Sequence, residues 1–305
     1  MARTEGADAD TCFTIHEPAR LGSPLVLSSP HSGVDYPAAF LASSRLDAKT
    51  LRRSEDTHVE DLFKGGVSVG APLISAIYPR AFLDLNREPY ELDPRMFEGR
   101  LPSFANTRSM RVAGGLGTIA RIVGEQQEIY SARLPVAEAI DRIERFYKPY
   151  HAALRGLLAR AQEQAGVALL VDCHSMPSTA GGFAAVLGAR RDEHVKADFV
   201  IGDRYGASCD PVLVERAERI LRGQGYAVQR NRPYAGGFIT EHYGEPAQGV
   251  HAMQIEVNRA IYMNEATLER TARFEAIALD LTRVAEGLAE CLAQWSPGRR
   301  RLAAE

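Results

Sequence analysis

The sequence predicts an α/β fold of three layers, with helices packed around a central mixed sheet. Three observations lead there. Short apolar runs rich in β-branched residues recur along the chain, stretches with apolar residues at helical spacing separate them, and no repeat or Gly/Ser or Pro linker divides the whole. The runs Leu25–Ser29, Ala71–Ile77, Phe82–Leu85, Val167–Val171, Phe199–Ile201 and Ala252–Val257 are each bounded by Gly, Pro or polar residues and read as buried strands. Val136, Ala139, Ile140, Ile143, Phe146, Tyr150, Leu154, Leu157, Leu158 and Ala161 form one apolar stripe, which predicts a long amphipathic helix covering the sheet. Asp210-Pro211 supplies a capping side chain and then proline at the first position of a second helix, closing near Gly223 and Gly225. Leu268, Phe274, Ile277, Leu281, Val284, Leu288 and Leu292 mark a last helix, with Asn264 or Thr267 at its start. One domain is expected over residues 1–305, loosely ordered at 1–20 and 296–305.

Composition narrows the function. At 305 residues, 45% hydrophobic and 25% charged, the chain is long enough to bury a substantial core. A net charge of -3 gives no general attraction to nucleic acid or an anionic membrane. Cys12, Cys173, Cys209 and Cys291 lie far apart without a CxxC pair, so neither a thiolate metal cage nor a disulfide framework is expected, and a reducing cytoplasm fits. The acidic, polar start MARTEGADADT is unlike an export signal, and no apolar run approaches the length of a membrane span.

The chemistry gathers at strand ends, where open α/β sheets place their ligands. In PLVLSSPHSGVDYP, the first strand delivers His31 into a turn whose glycine, Gly33, leaves room for the imidazole to face a metal. Taken alone, a loop histidine bonded to a neighbour is the more common case. In VALLVDCHSMPS, alternation puts Asp172 and His174 on the same side, so the carboxylate can support while the imidazole ligates. Cys173 between them faces the other way and reads as a core filler. Two histidines and a carboxylate make a common hydrolytic zinc site with a position left for water. The carboxylate is either Asp35, which can equally cap its own turn, or Asp56 in SEDTHVEDLF, where Val59, Leu62 and Phe63 supply an apolar side that turns Asp56 inward. The plain alternative for that segment is a solvated helix face.

The blocks PHSGVDYP, SEDTHVEDLF, DLNREP, RVAGGLGTIAR, DCHSMPS, GGFITEHYG and QIEVNRAIYM, in this order from Leu25 to Met263, resemble the N-formylglutamate amidohydrolase family. That family is similar to zinc carboxypeptidases and to deacylases of acylated aspartate or glutamate. The resemblance implies a phosphorylase/hydrolase-like fold, a Zn2+ cofactor held by His31, Asp56 and His174, and a small N-acyl amino acid as substrate. The leading expectation is cytoplasmic hydrolysis of N-formyl-L-glutamate in histidine breakdown. Another N-acyl amino acid is the alternative, and a non-catalytic binding protein a third. Val34 stands three residues after His31, where the wider superfamily has the glutamate of a His-x-x-Glu pair. Asp35 therefore stays open beside Asp56.

In DLNREP, Asn86 and Arg87 match the pair that holds a substrate carboxylate in the related deacylases, and a guanidinium fork suits a carboxylate bidentately. Arg121 is expected at the second carboxylate, with Arg232 and Arg259 as further cations, and Asn231 opens a loop through Phe238 that bears on the substrate. Glu256, a carboxylate among apolar neighbours, is implied as the general base, with Arg87 beside it in catalysis. A structural ion pair of Glu256 with Arg259 or Arg232 is the competing reading.

Overall fold

The structure is a computed structural model that describes residues 11–124, 127–179 and 197–295. Its main sheet has seven strands: β1 (Phe13–His16), β2 (Leu25–Ser29), β3 (Leu73–Ala76), β4 (Ala168–Met176), β5 (Phe199–Gly202), β6 (Val228–Arg230) and β7 (Val250–Asn258). Their order is β1-β3-β2-β4-β7-β5-β6. The centre from β3 to β7 is parallel, β1 pairs antiparallel with β3, and β5 pairs antiparallel with β7, so the sheet is mixed as expected.

Every residue of β2 and β4 is buried, which is why these strands carry continuous apolar runs instead of alternation. Their side chains nevertheless part by parity. Val26, Leu170 and Ala252 join one core with Leu154, Leu157 and Leu158. Leu25, Leu27, Leu169, Val171, Met253 and Ile255 join the other, with Leu213, Leu221, Ile277 and Leu281. Each such leucine contributes about 1.5–3 kcal/mol by burial. The helices supplying these layers are α1 (Val59–Phe63), α2 (Val136–Arg142), α3 (Lys148–Ala165), α4 (Pro211–Gly223), α5 (Phe238–Tyr243) and α6 (Phe274–Ala293). None of the described helices is long and apolar enough to cross a membrane.

Several elements differ from the sequence expectation. The predicted long helix is continuous from Val136 to Ala165, but a π-helical segment, Ile143–Tyr147, joins α2 to α3. Pro149 follows at once, and a proline there cannot donate to the carbonyl of Arg145, so the wider turn accommodates it. Asn264 caps a turn at Ala266 and Thr267, and α6 begins only at Phe274. Asp210 does cap α4, accepting from the Val212 N–H. A strand forms at Phe13–His16, inside the stretch expected to be loosely ordered; residues 1–10 and 296–305 lie outside the described residues.

Phe82–Leu85 is buried but is no strand. The Phe82 and Leu83 N–H groups both donate to Pro79 O, and the Phe82 carbonyl accepts from the buried Arg142 guanidinium, which also lies 4.2 Å over the Phe82 ring. With those groups engaged locally, no ladder can form. The apolar run instead anchors a loop that ends in Asp84, Asn86 and Arg87.

Candidate active site

The parity that separates the two cores also builds the site. Asp172 and His174 on β4, and Gln254 and Glu256 on β7, share the face of Leu170 and Ala252, and the parallel register sets Asp172 beside Gln254 and His174 beside Glu256. Cys173 points into the opposite core, where burial raises its thiol pKa, as its expected filler role requires. His31 follows β2 on the same edge. Its carbonyl accepts from the Asp56 N–H at 3.0 Å, which ties the two loops together.

Three buried residues, His31, Asp56 and His174, place one potential ligand atom each within 4.8 Å of one another. His174 Nδ1 is 2.9 Å and His31 Nδ1 3.4 Å from the same oxygen, Asp56 Oδ2. The far side of each ring is held by a carboxylate: His31 Nε2 lies 2.7 Å from Asp84 and His174 Nε2 2.8 Å from Asp172. A carboxylate only accepts, so it holds a proton on Nε2 and turns Nδ1 of each ring inward toward Asp56. His31 Nδ1 is buried and has no hydrogen-bond partner among the described residues. Two inward imidazole nitrogens, one of them buried and orphaned, and one carboxylate fit a divalent metal ion with an open position. Asp35, the alternative carboxylate, is exposed and outside this group.

Charge is compensated tightly. Burial pushes the Asp56 carboxyl up, but hydrogen bonding from His174 and the charge of His174 and His31 outweigh it and hold it well below the usual range. For Asp84, burial is likewise overcome by Arg80, Arg87 and His31. Burial pushes His174 down, and Asp172 with Asp56 more than reverses this. Glu256 behaves differently: burial raises it to about 7, with His174, Arg80 and Arg259 only partly opposing. Its Oε2 has no hydrogen-bond partner among the described residues. The competing reading, an ion pair of Glu256 with Arg259, is not what this arginine makes. Arg259 donates to Asp56 at 3.1 Å, to Ser175, and to the Glu55 and Arg53 carbonyls, so it braces the Asp56 loop.

A cavity of about 830 Å³ opens over the group, lined by His31, Asp56, His174, Glu256, Asn86 and Arg87 among others. Residues 23–263 match the N-formylglutamate amidohydrolase family. This chain belongs to that family. Its relatives include the N-formylglutamate deformylases of Pseudomonas putida, 31% identical over 90% of this chain and 94% of the relative, and of Pseudomonas aeruginosa, 33% identical over 92% and 96%. The crystal structure of N-formylglutamate amidohydrolase from Ralstonia eutropha JMP134 superposes with a TM-score of 0.85 at 38% identity, covering 92% of this chain and 98% of that one.

Within this amidohydrolase family member, the other expected substrate-binding residues separate. Asn86 lines the cavity, but its amide is engaged: Nδ2 donates to Asp172 Oδ2 at 3.0 Å and Oδ1 accepts from the Ile239 N–H at 2.7 Å. Arg87 also lines it, with Nε and Nη1 bonded to the Leu116 and Asn86 carbonyls and Nη2 3.5 Å from Asp84. Arg121 reaches the wall but is paired with Asp93 at 2.9 Å and Glu128 at 3.2 Å. Asn231 turns away from the cavity to bond Asp203 and Tyr205, while Pro233 to Gly237 of its loop do line the wall. Arg232 is exposed and outside the lining.

Three residues that sequence reasoning passed over stand in the site. Arg80 and Asp84 pair at 2.7 Å in the cavity lining, with Asp84 against His31. A charged residue inside the apolar run Phe82-Leu83-Asp84-Leu85 was the available signal, since such a carboxylate is buried at a cost unless partnered. Arg53 carried none. It faces the cavity with no side-chain hydrogen bond or ion pair among the described residues, and only its position three residues before Asp56 places it there.

Proposed function

We propose that the protein is a zinc-dependent amidohydrolase that cleaves N-formyl-L-glutamate to formate and L-glutamate. The observation that carries this reading is the inward convergence of His31 Nδ1, His174 Nδ1 and Asp56 Oδ2 beside an unpartnered Glu256 oxygen. Relatives named for deformylation of N-formylglutamate support the substrate. A zinc ion held by His31, Asp56 and His174 supplies Lewis acidity toward the formyl carbonyl and the attacking water.

The chain's own residues do the rest. Glu256 Oε2 takes a proton from the attacking water as its oxygen bonds to the formyl carbon, and returns that proton to the amine nitrogen as the C–N bond breaks. Arg80, which donates to Asp84 through Nη2 and lines the cavity, supplies positive charge for the developing negative charge or a substrate carboxylate. Arg87 offers its remaining Nη donors to the α-carboxylate, the role expected of it from its sequence block. Asn86 acts from behind, holding Asp172 and through it the His174 ring.

The test combines chelation with one substitution. Metal-stripped protein should lose deformylase activity and recover it with zinc, and zinc-loaded Glu256→Gln should keep its metal while turnover drops by about a thousandfold. Activity that survives chelation refutes the metal, and a zinc-loaded protein inert toward N-formylglutamate refutes the substrate.

A further inference from the structure

We propose that Gln254 is the positioning residue that aims Glu256, and that the turn at Gly237 fixes Gln254 in turn. The inference rests on Glu256 acting as the base. Gln254 is buried on β7, two residues before Glu256 and on the same face. Its Nε2 donates to Glu256 Oε1 at 2.7 Å, and its Oε1 accepts from the Gly237 N–H at 2.9 Å. Because a backbone N–H can only donate, the amide orientation is determined: oxygen toward Gly237, nitrogen toward Glu256.

That orientation decides which carboxylate oxygen is free. Oε1 is engaged by the amide, whereas Oε2, equally buried, has no hydrogen-bond partner among the described residues. Without the amide, the carboxylate can rotate about its last torsion, which is broad for Glu, and turn toward the neighbouring Arg80 charge. Gln254 thus leaves a single carboxylate oxygen without a hydrogen-bond partner among the described residues.

The turn that holds Gln254 is itself locked. A Cβ at Gly237 would lie 2.4–2.6 Å from the Asn86 amide, so only glycine lets this backbone approach so closely. Two residues on, the Ile239 N–H donates to Asn86 Oδ1, and Asn86 supports Asp172 and His174. One short turn therefore registers the proton acceptor, through Gln254, against a proposed metal ligand, through Asn86.

The experiment compares zinc-loaded Gln254→Met, Gln254→Asn, Glu256→Gln and the double variant Gln254→Met/Glu256→Gln. Met keeps the length without the amide, and Asn keeps an amide too short to span both partners, so either serves if the other fails to fold. With folding checked by thermal melting and one zinc per chain by metal analysis, kcat on N-formylglutamate should fall about 10–100-fold while KM stays within about twofold. The double variant should be no slower than Glu256→Gln alone, since the amide acts only through that carboxylate. A folded Gln254 variant with wild-type kcat, or a double variant slower than Glu256→Gln by the full Gln254 factor, overturns the positioning role while leaving Glu256 as base. Wild-type turnover in Glu256→Gln overturns the Glu256 reading, and this one with it.

Discussion

Gly33→Ala is the substitution whose consequence the geometry fixes most closely. A Cβ at position 33 would lie 2.2 Å from Tyr78 O, 2.5 Å from its carbonyl carbon and 2.7 Å from Ile77 O. All three are backbone atoms just after β3, and no rotamer change relieves them. Reaching ordinary contact takes a displacement of about 1 Å, and the Asp35 N–H to Ile77 O bond at 3.1 Å lies on the same track. His31 is two residues away on this turn, with its ring pinned between Asp84 and the Asp56 oxygen. A misplacement of about 1 Å costs on the order of a hundredfold in rate, and disturbing a ligand's support costs about 10–100-fold in metal affinity. The assay is competitive zinc titration with a chromophoric chelator, alongside kcat/KM on N-formylglutamate. If Gly33→Ala holds zinc and turns over within threefold of the parent, the close approach does not fix His31 and the reasoning is wrong.

Other outcomes follow from the same geometry. Undialysed protein should contain about one divalent metal per chain, lost in His31→Ala, His174→Ala and Asp56→Ala but kept in Asp35→Ala; metal analysis showing the reverse for the two aspartates would move the third ligand. Arg53 lines the cavity with no side-chain hydrogen bond or ion pair among the described residues and is the cation proposed for the substrate's side-chain carboxylate, so Arg53→Ala should narrow the preference for N-formylglutamate over N-formylnorvaline by about 10-fold or more, while Arg121→Ala, already paired with Asp93 and Glu128, should act mainly on stability; equal kcat/KM ratios in Arg53→Ala and the parent would discard that assignment. Burial lowers the His151 pKa from an unfolded value near 6.5 to about 3, so protons bind the unfolded chain first and stability falls as pH drops below about 6.5, by about 1.4 kcal/mol per pH unit. In His151→Gln, denaturant melts at pH 7 and pH 5 should show about 2 kcal/mol less pH dependence, and an unchanged dependence would count against the buried neutral ring.

What the sequence disclosed, and what it withheld, divides along a physical line. Strand-end polar residues after apolar runs, such as His31 and the pair Asp172 and His174, were legible because period-two alternation fixes their direction. The structure puts Asp172 Oδ2 2.8 Å from His174 Nε2, on the predicted common face. Asp56 was legible only as one of two carboxylates, since α1 is a single short turn and periodicity says little about a residue three positions before its start. The partners of Arg121 and Arg259 were not readable. Asp93 and Asp56 meet those guanidiniums through loop paths that carry no period, so a cation's availability for substrate is decided by tertiary pairing. The Phe82–Leu85 run misled for a related reason: a ladder needs free backbone groups, and here Pro79 and Arg142 take them.

Those same engaged groups explain why the loop bearing Asp84, Asn86 and Arg87 can serve a site at all. Three polar side chains of one helical stretch hold its carbonyls: Arg142 at Phe82 O, His151 at Leu85 O and Tyr147 at Arg87 O, at 2.9, 2.9 and 2.7 Å. In a regular α-helix, positions five apart such as Arg142 and Tyr147 diverge by about 140° around the axis and could not address one loop. The π-helical segment Ile143–Tyr147 lies between them, and its i→i+5 bonding brings residues five apart onto a common face. His151, four residues after Tyr147 in α3, continues that face and stacks on the Tyr147 ring at 4.1 Å. The apolar stripe that predicts the helix runs on the neighbouring face, into the first core. One inserted residue thus lets the same helix seal the sheet with leucines and clamp the Asp84 loop with hydrogen bonds. That clamp holds Asp84 within reach of His31 on one side and Arg80 on the other.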